Sequence, residues 1–302
     1  MTRAHTRARA GFSLVELVVA ITILGIIGVA LTKMVIGQTR TFQIDNGARR
    51  ARMTGRNAMN ILTTDLRMAQ DYGSIDSIDT AKNRWVDLKV PIAFGIVCEK
   101  NAGNVVLSIV AVDSFQTASA KYGGYAVRNS STGLYEYSRS TSSDTIKTVD
   151  PSRCHGAPAI YADTFPLAGR KGNVFIASPA PQAGATVGAP AFVYQSVRYQ
   201  FDTSTIYSKR LGLYRKIRGR GNTDSLSEEL IAPFDTSARF RYYTNPWTTR
   251  DTVTKTAPAD VNTIRGLQIY LPAQASDTVP GAKAPRTATT TMSVFFKNVR
   301  NQ

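Results

Sequence analysis

The sequence predicts an α+β fold, in which one long N-terminal helix packs on a large head of mainly antiparallel β-strands. Residues 12–31 form an apolar run with a single charge, and an amphipathic pattern continues from it to about residue 72. From residue 73 onward, short β-rich runs are separated by turn signals. No helix of crossover length is evident between these runs, so neighbouring strands should pair antiparallel.

The composition fits a folded chain and argues against most classes of enzyme. Of 302 residues, 43% are hydrophobic and 19% are charged, which is typical of a protein with a buried core. The two cysteines and two histidines are too few for a zinc-finger set or for histidine-centred catalysis. No nucleotide-binding, metalloprotease or serine-hydrolase motif occurs in a supporting context. We therefore expect a protein that is not an enzyme and that uses no cofactor and no metal.

The chain is strongly basic. Its 37 lysines and arginines stand against 21 aspartates and glutamates, so the formal net charge is +16. Such a charge favours acidic partners, which include nucleic acid, anionic lipid and acidic protein surfaces, and it says little about the fold. DNA therefore stays open as a partner.

The N-terminal segment has the pattern of a membrane-inserted chain. Residues 1–11 contain three arginines and no acid, and the apolar run that follows would be about 30 Å long as a helix, the thickness of a bilayer core. This pattern predicts a span at 12–32 with a cytoplasmic N-terminus and the head across the membrane. A secretory signal peptide or a plain signal anchor has the same outline. Neither explains Glu16, because an acid inside an apolar span costs about 2.5–3.5 kcal/mol.

The residues around Glu16 resemble the processing signature of type IV prepilins and type II secretion pseudopilins. The signature reads G-F-[ST]-L-[IV]-E-[LM], and this chain has Gly11-Phe12-Ser13-Leu14-Val15-Glu16-Leu17. The resemblance implies that a prepilin peptidase cleaves the Gly11–Phe12 bond and that the new N-terminus of Phe12 is methylated. It also implies a structural role in a type IV pilus or a type II secretion pseudopilus.

The same resemblance implies a domain organisation, a location and partners. The leader would occupy 1–11, the long helix 12–72 and the β-rich head 73–302. The chain would reside in the bacterial inner membrane, with its head in the periplasm or at the cell surface, and would enter a filament after processing. Its partners would be the prepilin peptidase, other pilins or pseudopilins, an inner-membrane assembly platform and the lipid bilayer. The helix at 57–69 and the C-terminal strands also resemble, more loosely, PilW-type minor pilins and pseudopilin J.

Glu16 has a physical role in this interpretation. Cleavage would expose the α-amine of Phe12, which has an ordinary pKa of about 7.7–8.0 and is largely protonated at neutral pH. A buried carboxylate and a buried ammonium are each costly unless they meet. We therefore expect Glu16 of one subunit to neutralise the Phe12 amine of a neighbour and to set the axial register of a filament. Gly25 and Gly28 would let the helices approach closely.

The second part of the helix should pack on the head. Apolar and small residues recur there at spacings of three and four, namely at Ile44, Ala48, Ala51, Gly55, Met59, Leu62, Leu66 and Ala69. Gly73 is the expected helix end. The same stretch carries cations that would contact lipid headgroups or acidic neighbours, or would simply coat a solvent-facing stripe: Arg49, Arg50, Arg52 and Arg56.

The head should contain many short strands. The predicted strands are 86–97, 104–112, 134–137, 173–177, 192–201, 211–218, 238–243, 264–271 and 289–299. Long loops are expected at 138–150, 178–190 and 275–285, because these segments are rich in Ser, Thr, Pro, Gly or Ala.

Cys98 and Cys154 are the two cysteines of the chain. In an exported head, an even pair most simply forms one disulfide, which would stabilise the fold by about 3–4 kcal/mol. The alternative is that Cys154 and His155 form a reactive or metal-binding pair. Adjacent residues of a strand point to opposite sides, and no third ligand is evident, so we favour the disulfide.

One segment of the head concentrates positive charge around Tyr214. Its cations are Lys209, Arg210, Arg215, Lys216, Arg218 and Arg220. They could bind phosphate groups, with the tyrosine stacking on a base. The alternative is a solvated hairpin, in which Leu211, Leu213 and Ile217 face the core and the cations face water. A second functional hypothesis, a DNA-binding surface pilin of a natural-transformation apparatus, depends on the first alternative.

Overall fold

The computed structural model of the protein confirms the α+β fold. One long helix is followed by an extensive antiparallel sheet, and the C-terminal part of the helix packs on that sheet. The structure describes residues 13–70, 73–100, 105–109, 113, 121–139, 147–148, 174–177, 184–218, 227–244 and 252–296.

Helix α1 spans Leu14–Met68, 55 residues, and is therefore about 80 Å long. Ser13 precedes its first turn, and Ala69 ends it in an extended conformation. The prediction that Gly73 caps the helix is wrong, because the helix ends before it. Gly73 instead has a φ of +91°, and a Cβ atom at this position would lie 2.9 Å from the ring of Tyr137. The position requires glycine for the turn into the sheet.

The two halves of α1 have different surroundings. Residues 13–43 are all exposed, and an 18-residue window within the helix has a mean hydropathy of 2.7 with none of its residues buried. By length and composition this helix could cross a membrane. The second half buries a stripe with spacings of one, three and four residues, which consists of Ala51, Gly55, Ala58, Met59, Leu62 and Leu66. The amphipathic pattern of the sequence therefore predicted the face that packs on the head.

The sheet contains fourteen strands among the described residues. They are β1 (Ile75–Ile78), β2 (Trp85–Lys100), β3 (Val105–Ile109), β4 (Gly124–Arg128), β5 (Tyr135–Arg139), β6 (Lys147–Thr148), β7 (Val174–Ala177), β8 (Pro190–Thr203), β9 (Leu211–Ile217), β10 (Glu228–Phe234), β11 (Arg239–Thr244), β12 (Thr252–Thr254), β13 (Ile264–Gln274) and β14 (Thr287–Phe295). A short 3-10 helix, Val261–Thr263, precedes β13.

Each strand pairing in this described sheet is antiparallel, as predicted. The main path runs β12-β11-β13-β10-β9-β8-β2-β3-β7-β6. In addition, β1 pairs with β2, β14 pairs with β13, and β4 pairs with β5 and β8. Each predicted β-rich run coincides with a strand, although the bounds shift by a few residues. Strands β1, β4, β6, β10 and β12 were not predicted.

The described part of the head contains two extended apolar cores and a smaller cluster around Phe192 and Tyr194. The larger core lies under α1 and joins the helix stripe to strands β2, β8, β9, β10, β11, β13 and β14. A second core lies between the other ends of β2 and β8 and strands β3 and β4, and it contains no helix residue. Helix α1 and strand β14 run in the same direction where they meet. The successive contacts show this: Gly47 lies beside Arg286, Gly55 beside Thr290 and Thr63 beside Met292.

Candidate functional site

The N-terminal turn of α1 presents a carboxylate that has no partner within the described chain. Glu16 lies in the first turn, three residues after Ser13, which is the spacing of a capping box. The structure nevertheless gives no side-chain capping bond there; the first turn is closed by the backbone N–H of Leu17, which donates to the carbonyl of Ser13 at 3.2 Å. Gly11 and Phe12, the expected cleavage and methylation residues, lie outside the described residues.

The surroundings of Glu16 are apolar and open. Leu14 is 80% exposed, and Val15, Leu17 and Val18 are more than half exposed. The positive end of the helix dipole favours an acid in the first turn, but it does not compensate the cost of moving that acid into lipid or among packed helices. The geometry therefore leaves Glu16 available to a cation supplied from outside this helix.

A comparison with known families identifies this segment. Residues 6–32 match the prokaryotic N-terminal methylation motif. The methylation motif covers the end of the leader, the expected cleavage bond and the apolar part of the helix, and it stops before the head. It indicates a type IV pilin-like chain that is processed by a prepilin peptidase. No curated protein and no solved structure matches the chain.

A polar contact joins the C-terminal part of α1 to the head. The hydroxyl of Tyr199 donates to Oδ2 of Asp65 at 2.5 Å, and Nε of Arg215 lies 3.7 Å from the same oxygen. Tyr199 is 1% exposed, and it pairs across the sheet with Arg215. Burial and the adjacent Asp65 raise the pKa of Tyr199 well above its ordinary value, so the hydroxyl stays a donor.

The basic segment is divided between internal contacts and the surface. Nη1 of Arg210 donates to the carbonyls of Ala275 and Ser276 at 2.8 and 3.0 Å. Lys209 lies in a turn with a φ of +61°, and Arg220 lies outside the described residues. Lys216 and Arg218 take part in further interactions. The segment therefore does not present its described cations as one free surface.

The expectation that the cations of this hairpin all face water is wrong for Arg215. In β9, Arg215 lies on the same strand face as Leu211 and Leu213, which are buried. Its side chain contacts Asp65 of the helix. Tyr214 is 6% exposed, and its hydroxyl donates to the carbonyl of Thr203 at 2.7 Å, so it is not an open stacking surface.

A groove lies where the helix leaves the head. It has a volume of about 410 Å³ and is bounded by residues 39–50 of α1 and the loop at 275–280. Phe42, which is 67% exposed, contributes to the apolar part of its lining. Arg50 and Asp277 form an ion pair across the rim at 3.2 Å, with both side chains mostly exposed. Arg49, Arg52 and Arg56 are exposed on the same helix.

Cys98 is 5% exposed in β2 and is disulfide-bonded. Cys154 and its neighbour His155 lie outside the described residues, so the pairing of Cys98 with Cys154 stays a prediction. No group of three or more His, Cys, Asp or Glu residues that could hold a metal ion occurs in the part of the chain that the structure describes.

Sequence reasoning missed the polar contacts that stabilise the sheet. Asp87 of β2 and Arg198 of β8 form a bidentate salt bridge. Nε of Arg198 lies 2.6 Å from Oδ1 of Asp87, and Nη2 lies 2.7 Å from Oδ2. Ser77 donates to the same carboxylate, and the guanidinium lies 3.9 Å from the ring centre of Trp85. The two residues are 111 residues apart in sequence, and only the strand register brings them together. No local motif could have indicated it.

Proposed function

We propose that this protein is a minor pilin or pseudopilin, a structural subunit of a type IV pilus or of a type II secretion pseudopilus. The observation that carries the proposal is the methylation motif at 6–32, which coincides with the exposed apolar half of a single helix. A soluble protein would bury such a surface. In a subunit that first resides in a membrane and then packs against neighbouring helices, this apolar surface would contact first lipid and then the other helices.

Processing and assembly follow from the positions of three residues. The peptidase would cut between Gly11 and Phe12, the amine of Phe12 would be methylated, and Glu16 would become the fifth residue of the mature chain. In the mature chain, Glu16 would lie four residues after that amine. In a bundle of apolar helices, a neighbour's amine would compensate its carboxylate, and the surrounding Leu, Val and Ile residues would supply the packing.

The size of the head supports a minor position over a repeated shaft position. The described sheet has fourteen strands, and a single buried stripe of α1 packs on it, so the head is large compared with the helix. Bulky heads pack poorly along a repetitive helical shaft, so we place the subunit at low copy number, at or near the tip of the filament. Its partners would be other pilins or pseudopilins and an inner-membrane assembly platform, with the head exported.

Mass spectrometry of the chain from its native membrane tests the proposal. We expect a mature N-terminus at Phe12 with the added mass of one methyl group, and we expect the intact leader when the peptidase gene is deleted. A mature chain that begins near Leu31 would instead identify a secretory signal peptide. An uncleaved chain in cells with active peptidase would identify a simple anchor, and either result would refute the proposal.

DNA binding is the second candidate function, and the net charge of +16 favours it. A DNA-binding surface pilin would use the cations of the basic segment, of which Arg210 and Arg215 already have partners inside the protein. Retention on duplex DNA should then fall steeply with salt, in proportion to the number of phosphates contacted. Retention that is weak at low salt, or that does not change when Lys209 and Lys216 are replaced by glutamine, would exclude it.

A further inference from the structure

A second pocket of the head concentrates positive charge away from the basic segment. It has a volume of about 300 Å³ and lies between the β1–β2 turn and the β10–β11 turn. Its lining includes three cations and several polar groups, which are Lys82, Arg84, Arg239, Asn83, Thr236 and Ser237. No carboxylate belongs to the lining.

Internal hydrogen bonds hold the first wall of this pocket. Asp79 is 9% exposed, and its carboxylate accepts the backbone N–H groups of Ala81, Lys82 and Arg84 at 2.9, 3.1 and 2.9 Å. Asn83 adopts a φ of +56°, which asparagine tolerates better than most residues. The turn is therefore fixed by its own acid, and the side chains of Lys82 and Arg84 are left to line the pocket.

The second wall is built in the same way. Asp235 accepts both the backbone N–H and the hydroxyl of Ser237, and its other oxygen accepts from Gln274 at 3.2 Å. Two hydrogen bonds join the walls: Nη2 of Arg84 donates to the carbonyl of Thr236 at 2.9 Å, and the N–H of Phe240 donates to the carbonyl of Asn83 at 2.8 Å. The two turns that carry the cations are therefore held in place before a ligand binds.

The charges of the pocket do not cancel. Two acids, Asp79 and Asp235, are committed to backbone and side-chain donors of the turns, whereas three cations line the space between them. Nε of Arg239 is buried and has no hydrogen-bond partner within the described structure. An oxyanion in the pocket would therefore have to bind the other N–H groups of this guanidinium, whose centre lies 5.6 Å from the ring centre of Tyr270.

We infer that this pocket binds a single phosphate group. A compact, doubly charged oxyanion matches three cations in the lining of one pocket better than one carboxylate does, and arginine is the side chain that best fits phosphate oxygens. The pocket is a discrete space between two turns, so its shape favours one phosphate group over a continuous nucleic acid backbone. Either free phosphate or the phosphate of a lipid headgroup supplies this chemistry. The inference does not depend on the proposed filament role.

Calorimetric titration of the full chain in neutral detergent tests the inference. The probes are inorganic phosphate, glycerol phosphate and a duplex DNA oligomer, at an ionic strength held constant with chloride. We expect saturable binding of inorganic phosphate that is weakened about tenfold or more in the Arg84→Gln/Arg239→Gln double variant, because each charge-assisted hydrogen bond contributes about a tenfold factor. Tighter binding of glycerol phosphate than of free phosphate would identify a headgroup as the source, and the reverse would identify the free ion.

Two further variants separate binding from folding. Lys82→Glu changes an exposed side chain, and the turn uses only its backbone N–H, so this variant should fold normally and lose phosphate binding. Lys283→Gln/Arg286→Gln removes two exposed charges elsewhere and should bind phosphate as the wild type does. The inference is overturned if phosphate does not bind, if Lys82→Glu binds it as well as the control does, or if only DNA binds.

Discussion

The hydroxyl of Tyr199 donates a hydrogen bond to Asp65 at 2.5 Å, and this contact joins strand β8 to the C-terminal part of helix α1. Arg215 from the neighbouring strand lies 3.7 Å from the same carboxylate. Three side chains from three elements thus meet at one point beneath the helix. The helix is attached to the head by this polar contact as well as by its apolar stripe.

Replacement of Tyr199 by phenylalanine tests the strength of that attachment. The variant leaves the partly buried Asp65 carboxylate without its donor, so we expect a loss of about 1–3 kcal/mol in the free energy of unfolding. Asp65→Ala should cost more, because both Tyr199 and Arg215 lose their partner. Chemical denaturation of the protein in detergent measures both effects. An unchanged free energy of unfolding in Tyr199→Phe would show that the contact contributes nothing.

Glu16→Ala tests the assembly argument. The variant removes a charge from the apolar span, so it should insert into the membrane at least as well as the wild type. It should nevertheless fail to enter filaments, because the neighbour's amine then lacks its partner. Membrane fractionation and purification of filaments measure the two steps separately. Asp45→Ala, at an exposed acid on the same helix, is the matched control and should assemble normally. Normal assembly of Glu16→Ala would contradict the pairing.

Two glycines of the same helix should respond in opposite ways to a larger side chain. A Cβ atom at Gly37 would have no neighbour within 4 Å, so Gly37→Ala should stabilise the helix by about 0.5–1 kcal/mol. A Cβ atom at Gly55 would lie 2.9 Å from Oγ1 of Thr290. Gly55→Leu should therefore push α1 away from β14 and cost about 1–3 kcal/mol. Thermal unfolding of the two variants provides the comparison, and a stabilised Gly55→Leu would refute this packing.

The buried ion pair of the sheet makes a separate prediction. Asp87 is 4% exposed, and Arg198 is its cross-strand neighbour. Removal of either partner leaves an uncompensated charge, so Arg198→Leu or Asp87→Leu should each cost about 3–5 kcal/mol. The double variant should lose less than the sum of the two, because no isolated charge remains. A double-mutant cycle by chemical denaturation measures this coupling, and strictly additive losses would exclude it.

Glu229 should make the head sensitive to acid. Burial opposes the ionisation of this carboxylate, but hydrogen bonds from Ser204, Thr205 and Tyr214 outweigh it and lower its pKa below the ordinary value of 4.5. Its contribution to stability is therefore complete above about pH 4.5 and is lost as the pH falls through the lower folded-state pKa.

Unfolding free energies at a series of pH values between neutral and pH 3 provide the test. Glu229→Gln should be less stable at neutral pH and should show a flatter decline in acid. Glu228→Gln, a change at the adjacent exposed residue of β10, is the matched control. An acid dependence that is identical in Glu229→Gln and in the wild type would show that this carboxylate is not responsible.

The sequence could predict what depends on local pattern. The apolar run, the three-and-four spacing from Ala51 to Leu66 and the alternating strands are periodic, so they predicted the helix, its buried face and most of the sheet. Strand β10 was missed because its sequence, EELIAPF, begins with two acids and contains a proline, which is rare inside strands. Strand β4 was missed because Gly124 opens it and only five residues follow the strand pattern.

The polar contacts could not be predicted, because they depend on strand register. Asp65, Tyr199 and Arg215 come from distant parts of the chain, and nothing local marks Arg215 as an internal cation. The signature around Glu16 could be recognised from the sequence, because its residues are consecutive and do not depend on strand register. The pocket could not be predicted either, because Lys82 and Arg239 belong to two turns that are distant in sequence. The hydrogen bonds from Phe240 to Asn83 and from Arg84 to Thr236 join these turns in the fold.

The parallel course of α1 and β14 has a mechanical consequence. From Gly47 to Thr63 the helix follows residues 286–292, and its unbroken backbone extends to Leu14. A force along the helix axis would load all these contacts in shear at the same time. They would then have to break together and not one after another. The head would therefore resist tension transmitted through its stem better than it would resist a sideways force that lifts the helix from the sheet.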